Sequence, residues 1–381
     1  MDSQRTFDSG KDSVEVDFFK QECTGGCVRN AILASALSET PVVLKNICFE
    51  KENPGLSQPM VEYVKLIAGF CSAEVSGLGV GSQTLSFSPK KQVSLPKTIS
   101  LELGGSHSVV LYGLPVMIMA LYQSSLITIK VMGRTHGNHA PPADVFNEQI
   151  VKYLHPFTFV LQTAVRKSAF YSDADGLLLM KIHGKHFLDD HVPAFSPEQK
   201  QNLAAIKINI LANSELASDT RMERYESLLE LSFKKYDVPV LIDVNYTRTS
   251  SKGIAISVHA LFGDDDGFDN DLAWVHSVDR FCDKQDILDE NVEKSIASMV
   301  KELSLRIDSD AIDLNVAEQL LPMLALHGGQ IIVEEFTSRL QSYCAVFERI
   351  LSITFSYEER RLSCDGFAKQ ISAEITELDD L

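Results

Sequence analysis

The chain of 381 residues contains no apolar run approaching the roughly 20 residues a membrane-spanning helix requires. Its longest such stretch, Val109 to Tyr122, is broken by Gly113 and Pro115. Basic residues are also scarce. Lys and Arg number 35 against 52 Asp and Glu, a net charge of −17 at pH 7. That balance excludes the overall basic footprint by which proteins hold nucleic acid or anionic membrane through global charge, although a local basic groove stays open. The seven cysteines, at 23, 27, 48, 71, 282, 344 and 364, are odd in number and scattered, which suits reduced thiols rather than a disulfide framework. The polar, acidic start lacks the pattern of a signal or transit peptide. No P-loop, dinucleotide fingerprint, nucleophile elbow, zinc-protease helix or kinase signature is found. The expectation is a soluble, intracellular protein with no membrane contact.

What is present is an alternation of strand and helix periods, hence an α/β (α+β) class, with length for about two or three domains. Val14 to Phe19 alternates as a strand, Val28 to Leu37 repeats as a helix, and Pro41 to Phe49 is short and β-branched. A helix over Val61 to Cys71 and strands at Glu74 to Ser76 and Thr84 to Phe87 follow. A similar order recurs: strand Thr98 to Leu103, helix Val109 to Leu121, strand Ser125 to Met132, helix Asp144 to Leu154 and strand Leu177 to Ile182. We read this as a repeated α/β unit. The middle differs, with strands at Ala205 to Leu211, Pro239 to Tyr246 and Gly253 to Leu261 and helices at Asp219 to Lys235 and Asn291 to Leu305. The earlier style returns with helix Leu314 to Leu326, strand Gln330 to Glu334 and helix Leu340 to Leu351. The expected organisation is a disordered leader over 1–12, core over 13–190, an inserted α/β domain over 191–308, core again over 309–360, and an acidic tail over 361–381.

Local motifs have ordinary explanations. Asn53-Pro54-Gly55 and Gly79-Val80-Gly81 read as turns. Cys23 and Cys27 lack the two-residue spacing and second pair of a metal site, so core or turn thiols are expected. Thr135-His136-Gly137-Asn138-His139 reads as a polar loop lining a cleft. The acidic run Gly263 to Asp271 fails the calcium-loop pattern, because position one would be Phe262.

The order of segments is more informative than any one of them. Glu22-Cys23-Thr24-Gly25-Gly26-Cys27-Val28-Arg29, Pro41 to Ile47, Asn53-Pro54-Gly55-Leu56 and Gly79 to Phe87 come first. Gly133-Arg134-Thr135-His136, Ala140 to Asp144, Ala169-Phe170-Tyr171 and Val316 to Met323 with Ala325-Leu326 follow. Together they resemble the RNA 3'-terminal phosphate cyclases over about residues 14 to 355. The resemblance implies a core of repeated two-helix, four-strand units with a small α/β domain inserted before the last.

It also implies a chemistry: a histidine attacks ATP, the adenylate passes to an RNA 3'-phosphate, and a 2',3'-cyclic phosphate closes. Carried onto this chain, the family's N-terminal glutamate is Glu22 and its first arginine Arg29. Of two further arginines, one falls at Cys48 and the other at Lys51, and a following glutamine falls at Pro59. The glycine triplet is reduced to Cys23-Thr24-Gly25, and a later glycine-rich stretch to Asp173-Ala174-Asp175-Gly176. The nucleophilic histidine falls at Arg339, which stays protonated and cannot attack phosphorus. His327 lies nearby, in the preceding turn.

The resemblance thus implies a member without cyclase activity. Glu22, Arg29 and Lys51 would be vestigial contacts for nucleotide or phosphate, with Glu22 also the metal position. It is comparable to the cyclase-like branch that serves 18S rRNA maturation by docking with a GTPase. Ribosome-biogenesis proteins would be its partners, RNA a further contact, and the nucleus or nucleolus its place. The alternative is a divergent active cyclase using ATP with Mg²⁺ or Mn²⁺.

Overall fold

The computed structural model describes residues 13–103, 107–138, 140–170, 175–185, 195–196, 202–217, 220–249, 252–263, 274–283 and 289–367. The leader, the acidic run from residue 264, His139 and Tyr171 to Ala174 lie outside the described residues. Packing divides the chain into two compact units, Met1–Ser94 with Thr337–Thr354, and Leu95–Phe336 with Phe355–Leu381.

In the first unit, β1 (Val14–Asp17), α1 (Gly25–Ser38), β2 (Val42–Lys45), α2 (Gln58–Cys71), β3 (Glu74–Ser76) and β4 (Leu85–Ser88) follow in order. The sheet order is β1-β2-β4-β3. β1 runs parallel to β2 with Val14 opposite Val42, and the remaining pairs are antiparallel. β2 ends four residues earlier than its β-branched pattern implies, because Asn46 and Cys48 turn the backbone left-handed (φ 55° and 48°). Thr24 caps α1 by accepting from the Gly26 N–H at 3.2 Å.

The second unit repeats that topology. β5 (Thr98–Glu102), α3 (Val109–Ala120), β6 (Ile127–Gly133), a helical passage, β7 (Thr158–Lys167) and β8 (Gly176–Gly184) form a sheet of order β5-β6-β8-β7. Its first pair is again parallel. The passage expected as one helix is α4 (Ala143–Val145), a π turn (Phe146–Ile150) and a 3₁₀ stretch (Lys152–Phe157) that contains Pro156. Strand β7 is an addition to the sequence reading, its alternation blurred where register shifts at Val160 and Lys167. The apolar segment Val109 to Tyr122 is the buried helix α3, and no helix among the described residues is long and apolar enough to cross a membrane.

The middle of the chain supplies β9 (Leu203–Asn213), α5 (Arg221–Phe233), β10 (Val240–Thr247), β11 (Gly253–Phe262), β12 (Val275–Asp283) and α6 (Asp289–Ile307). Its sheet order is β10-β9-β11-β12. β12 escapes hydropathy reading because His276 and Ser277 are buried polar residues.

α7 (Leu314–His327), β13 (Gly329–Ile332), α8 (Ser338–Leu351), β14 (Phe355–Glu358) and β15 (Arg361–Cys364) close the described chain. The sheet order is β13-β15-β14, and a parallel bridge from Ile312 to Val333 stands where a first strand would be. This is a third copy of the unit with its first strand reduced to one bridge. β15 occupies the first four residues of the stretch expected as a tail. By packing, α8 belongs to the first unit, where it lies on α1 and β1.

The second unit buries ionisable groups whose balance sets its acid stability. Burial pushes His259 down to about 4 and His327 down to about 3. Burial also pushes Asp279 up to about 6. Below about pH 6.5 unfolded histidines take up protons that the folded ones refuse, so each histidine removes stability as pH falls. Asp279 has the opposite sign: its folded carboxyl holds a proton that the unfolded one releases down to about pH 3.9. Between about pH 6 and about 4, two histidines oppose one aspartate. We expect a net loss of about 1.4 kcal/mol per pH unit. Urea midpoints that stay flat or rise on acidification through that window would contradict it.

Candidate functional site

The residues singled out by resemblance at the N-terminus and before the last helix meet in the first unit. Glu22 precedes the α1 cap, and Arg339 is the second residue of α8. One Glu22 carboxylate oxygen accepts from the Ser338 hydroxyl at 2.9 Å, and the other faces Arg339 Nε at 3.9 Å. Both side chains of the ion pair are partly solvated, so it contributes little to stability, on the order of 0–1 kcal/mol. Its interest is chemical. The carboxylate is already shared between a hydroxyl and a guanidinium.

Why these groups meet follows from local structure. Thr337 caps α8, its hydroxyl accepting from the Leu340 N–H at 3.3 Å, which fixes the first turn that carries Ser338 and Arg339. α8 closes on α1 at Gly26, where a Cβ would lie 2.1 Å from the Tyr343 hydroxyl. That close approach lets Tyr343 Oη reach Thr24 Oγ1 at 2.9 Å. A side chain at 26 would therefore force the Tyr343 ring out of this contact.

Arg29 lies one turn further along α1 and is buried, and the Tyr63 hydroxyl donates to its carbonyl oxygen at 3.3 Å. Lys51 is exposed on the β2–α2 connection, where its N–H donates to the Cys48 carbonyl at 3.1 Å. Ser338 and Tyr343 were not found by sequence reading. The Thr337-Ser338 start of an apolar helix is a capping signal, but nothing local says which carboxylate it will face.

The Glu22 carboxylate faces one hydroxyl and a guanidinium, a cation in place of the several further oxygen ligands that Mg²⁺ or Mn²⁺ takes, so the site does not suit those ions. Among the described residues no group of three or more His, Cys, Asp and Glu could hold a metal ion.

His327, the other candidate nucleophile, ends α7 with no exposed surface. Its Nε2 is 3.0 Å from the Tyr122 hydroxyl, and its ring packs 4.5 Å from Phe157. A sealed imidazole of this kind cannot meet a nucleotide phosphate without the second unit opening.

His136 lines a small cleft with Asp144, Ser257, Asp279 and Arg280. Its Nε2 is 3.1 Å from an Asp144 oxygen that also accepts from Ser257 at 3.3 Å, and its Nδ1 is 2.8 Å from Thr135 Oγ1. The Ser257 bond joins the second repeat to the β9–β12 sheet. Gln149 donating to the Val275 carbonyl at 2.7 Å and Lys207 paired with Glu148 at 2.6 Å do the same.

The sequence model of the family described as RNA 3'-terminal phosphate cyclase matches residues 20–357. Similar curated proteins carry that same name. The protein of Methanococcoides burtonii is 25% identical over 349 residues, covering 91% of this chain and 97% of its own. That of Methanosarcina mazei is 24% identical over 362 residues, covering 91% and 97%. That of Pyrococcus abyssi is 23% identical over 358 residues, covering 91% and 95%.

Proposed function

This chain belongs to the RNA 3'-terminal phosphate cyclase family, and we propose that within it the protein is a member without cyclase activity that acts as a scaffold in rRNA processing and small ribosomal subunit assembly. The observation that supports this reading is the Glu22–Ser338–Arg339 contact. At the position where the resemblance calls for an attacking imidazole stands a guanidinium, permanently charged and without a lone pair to offer. It is turned toward the carboxylate that would have met a metal. The reduction of the cation set to Arg29 and Lys51 supports the same reading, since adenylyl transfer needs cations over the phosphates.

A scaffold role is consistent with the net charge of −17, which favours docking to basic protein surfaces over unassisted RNA binding. Its partners would be ribosome-biogenesis proteins, a GTPase among them, with RNA as a secondary contact, and its place the nucleus or nucleolus. The competing reading, favoured by the names of the relatives, is an active ATP-dependent cyclase that makes 2',3'-cyclic phosphate ends.

Incubation with α-labelled ATP and magnesium or manganese, followed by a denaturing gel, separates the two. No protein-bound label is expected beside a family member that labels strongly. Label that survives Arg339→Ala and disappears in His327→Ala would establish the active cyclase.

A further inference from the structure

The first unit contains a thiol cluster that the Glu22 pair does not use. Cys23 and Cys48 are 25 positions apart, yet their Sγ atoms lie 3.8 Å from each other. Cys27, in the first turn of α1, accepts from the Thr24 N–H at 3.5 Å and donates to the Glu22 carbonyl at 3.5 Å. Cys23 and Cys48 each keep 6% of their surface exposed, whereas Cys27 keeps none. The Cys48 thiol is held below its ordinary value by the hydrogen bond with Cys23, which outweighs burial, and the Lys51 cation adds to this. Elsewhere in the unit burial pushes Cys71 up to about 11.

We propose that Cys23 and Cys48 form an oxidisable dithiol whose co-reactant is a hydroperoxide, with Cys48 the attacking and Cys23 the resolving residue. The pairing uses the geometry directly: two sulfurs within van der Waals reach, in residues that are not completely buried, and a cationic side chain beside one of them. The Cys48 thiolate attacks the terminal oxygen of the hydroperoxide. The O–O bond breaks, an alcohol (or water) leaves with a proton, and Cys48 becomes a sulfenic acid. The Cys23 sulfur, losing its proton, then attacks the Cys48 sulfur, and the hydroxyl leaves as water. In sum two thiols and one hydroperoxide give one disulfide, one alcohol and one water, a transfer of two electrons.

Cys27 is excluded as the attacking group by its complete burial. Forming a bond of about 2.05 Å means closing the 3.8 Å gap between the two sulfurs. The bridge would join the residue after Glu22 to the turn three residues ahead of Lys51. A dithiol at this place is compatible with an active and with an inactive cyclase alike.

The test uses the full chain, reduced, treated with equimolar hydrogen peroxide, blocked with N-ethylmaleimide and mapped without reduction. A Cys23–Cys48 peptide pair that dithiothreitol separates is expected, with two of the seven thiols lost. Iodoacetamide should modify Cys48 at least about tenfold faster than Cys71. The pair should persist in Cys27→Ser and vanish in Cys48→Ser, and in Cys23→Ser dimedone should label Cys48. A Cys23–Cys27 pair, retention of all seven thiols, or pairing no more selective than in the urea-unfolded chain would overturn the proposal.

Discussion

Replacing Asp313 with alanine is expected to destabilise the second unit by about 3–5 kcal/mol, through the loss of a buried ion pair and a helix cap together. Asp313 stands at the head of α7, where one carboxylate oxygen accepts from the Asn315 N–H at 2.9 Å and the Val316 N–H at 3.3 Å. The other oxygen pairs with Arg306 at the end of α6. Arg306 also meets Glu302 at 2.6 Å and the Ser277 carbonyl at 2.5 Å, so it is not left alone when Asp313 is removed. That retained company limits the ion-pair loss to the lower end of the usual range, about 3 kcal/mol. The cap adds about 1 kcal/mol.

Asp313→Asn separates the two terms, because an amide oxygen still caps the helix but carries no charge. It should recover about 1 kcal/mol of the loss. The sole tryptophan, Trp274, lies in this unit and is buried, so its fluorescence reports the urea transition. A loss below about 1 kcal/mol would mean that Arg306 is satisfied by Glu302 alone and that the pair is decorative.

The second large effect is expected at Phe347. Its ring is fully buried on α8, within the stripe Leu340, Tyr343, Cys344, Phe347, Ile350 and Leu351. Phe347→Ala should cost about 3–5 kcal/mol, the transfer energy of the ring plus the cavity it leaves. Phe347→Leu retains most of the volume and should cost less than about 1.5 kcal/mol. Pulsed alkylation of Cys344, buried on the same helix, reads the opening of the first unit during denaturation. Phe347→Ala alkylating at the wild-type rate would place the helix outside that unit's cooperative core.

Much of the fold could be read from periodicity because burial is one-sided along most elements. Val14 to Asp17, Thr98 to Glu102 and Ile127 to Gly133 alternate buried and less buried positions, the period-two pattern that identified them. Reading failed where hydropathy and burial part company. β12 hides His276 and Ser277 in the interior, where Trp274 Nε1 donates to His276 Nε2 and Ser277 Oγ meets His259 Nδ1, so no alternation is visible in its letters. β14 and β15 are short, four residues each, and the first alternates intermediate and exposed positions with no fully buried residue.

The candidate site divides along the same line. Glu22, Arg29, Lys51 and Arg339 were named from the order of segments, since side-chain identity is a property of the sequence. That Ser338 meets Glu22 across 316 positions, or that Cys23 meets Cys48, has no local signal at all.

By itself the sequence determined the alternation of strands and helices, the repeat, the absence of a membrane-length apolar helix and which residues carry charge or a thiol. These depend on composition and on spacing over a few residues, where sterics and hydrophobic period act directly. Only the tertiary structure decided that α8 packs on α1 at Gly26, that His327 is sealed between Tyr122 and Phe157, and that Glu22 is held by Ser338 and Arg339. Those contacts join segments hundreds of residues apart, and they arise when apolar faces are buried together and carry their polar neighbours with them.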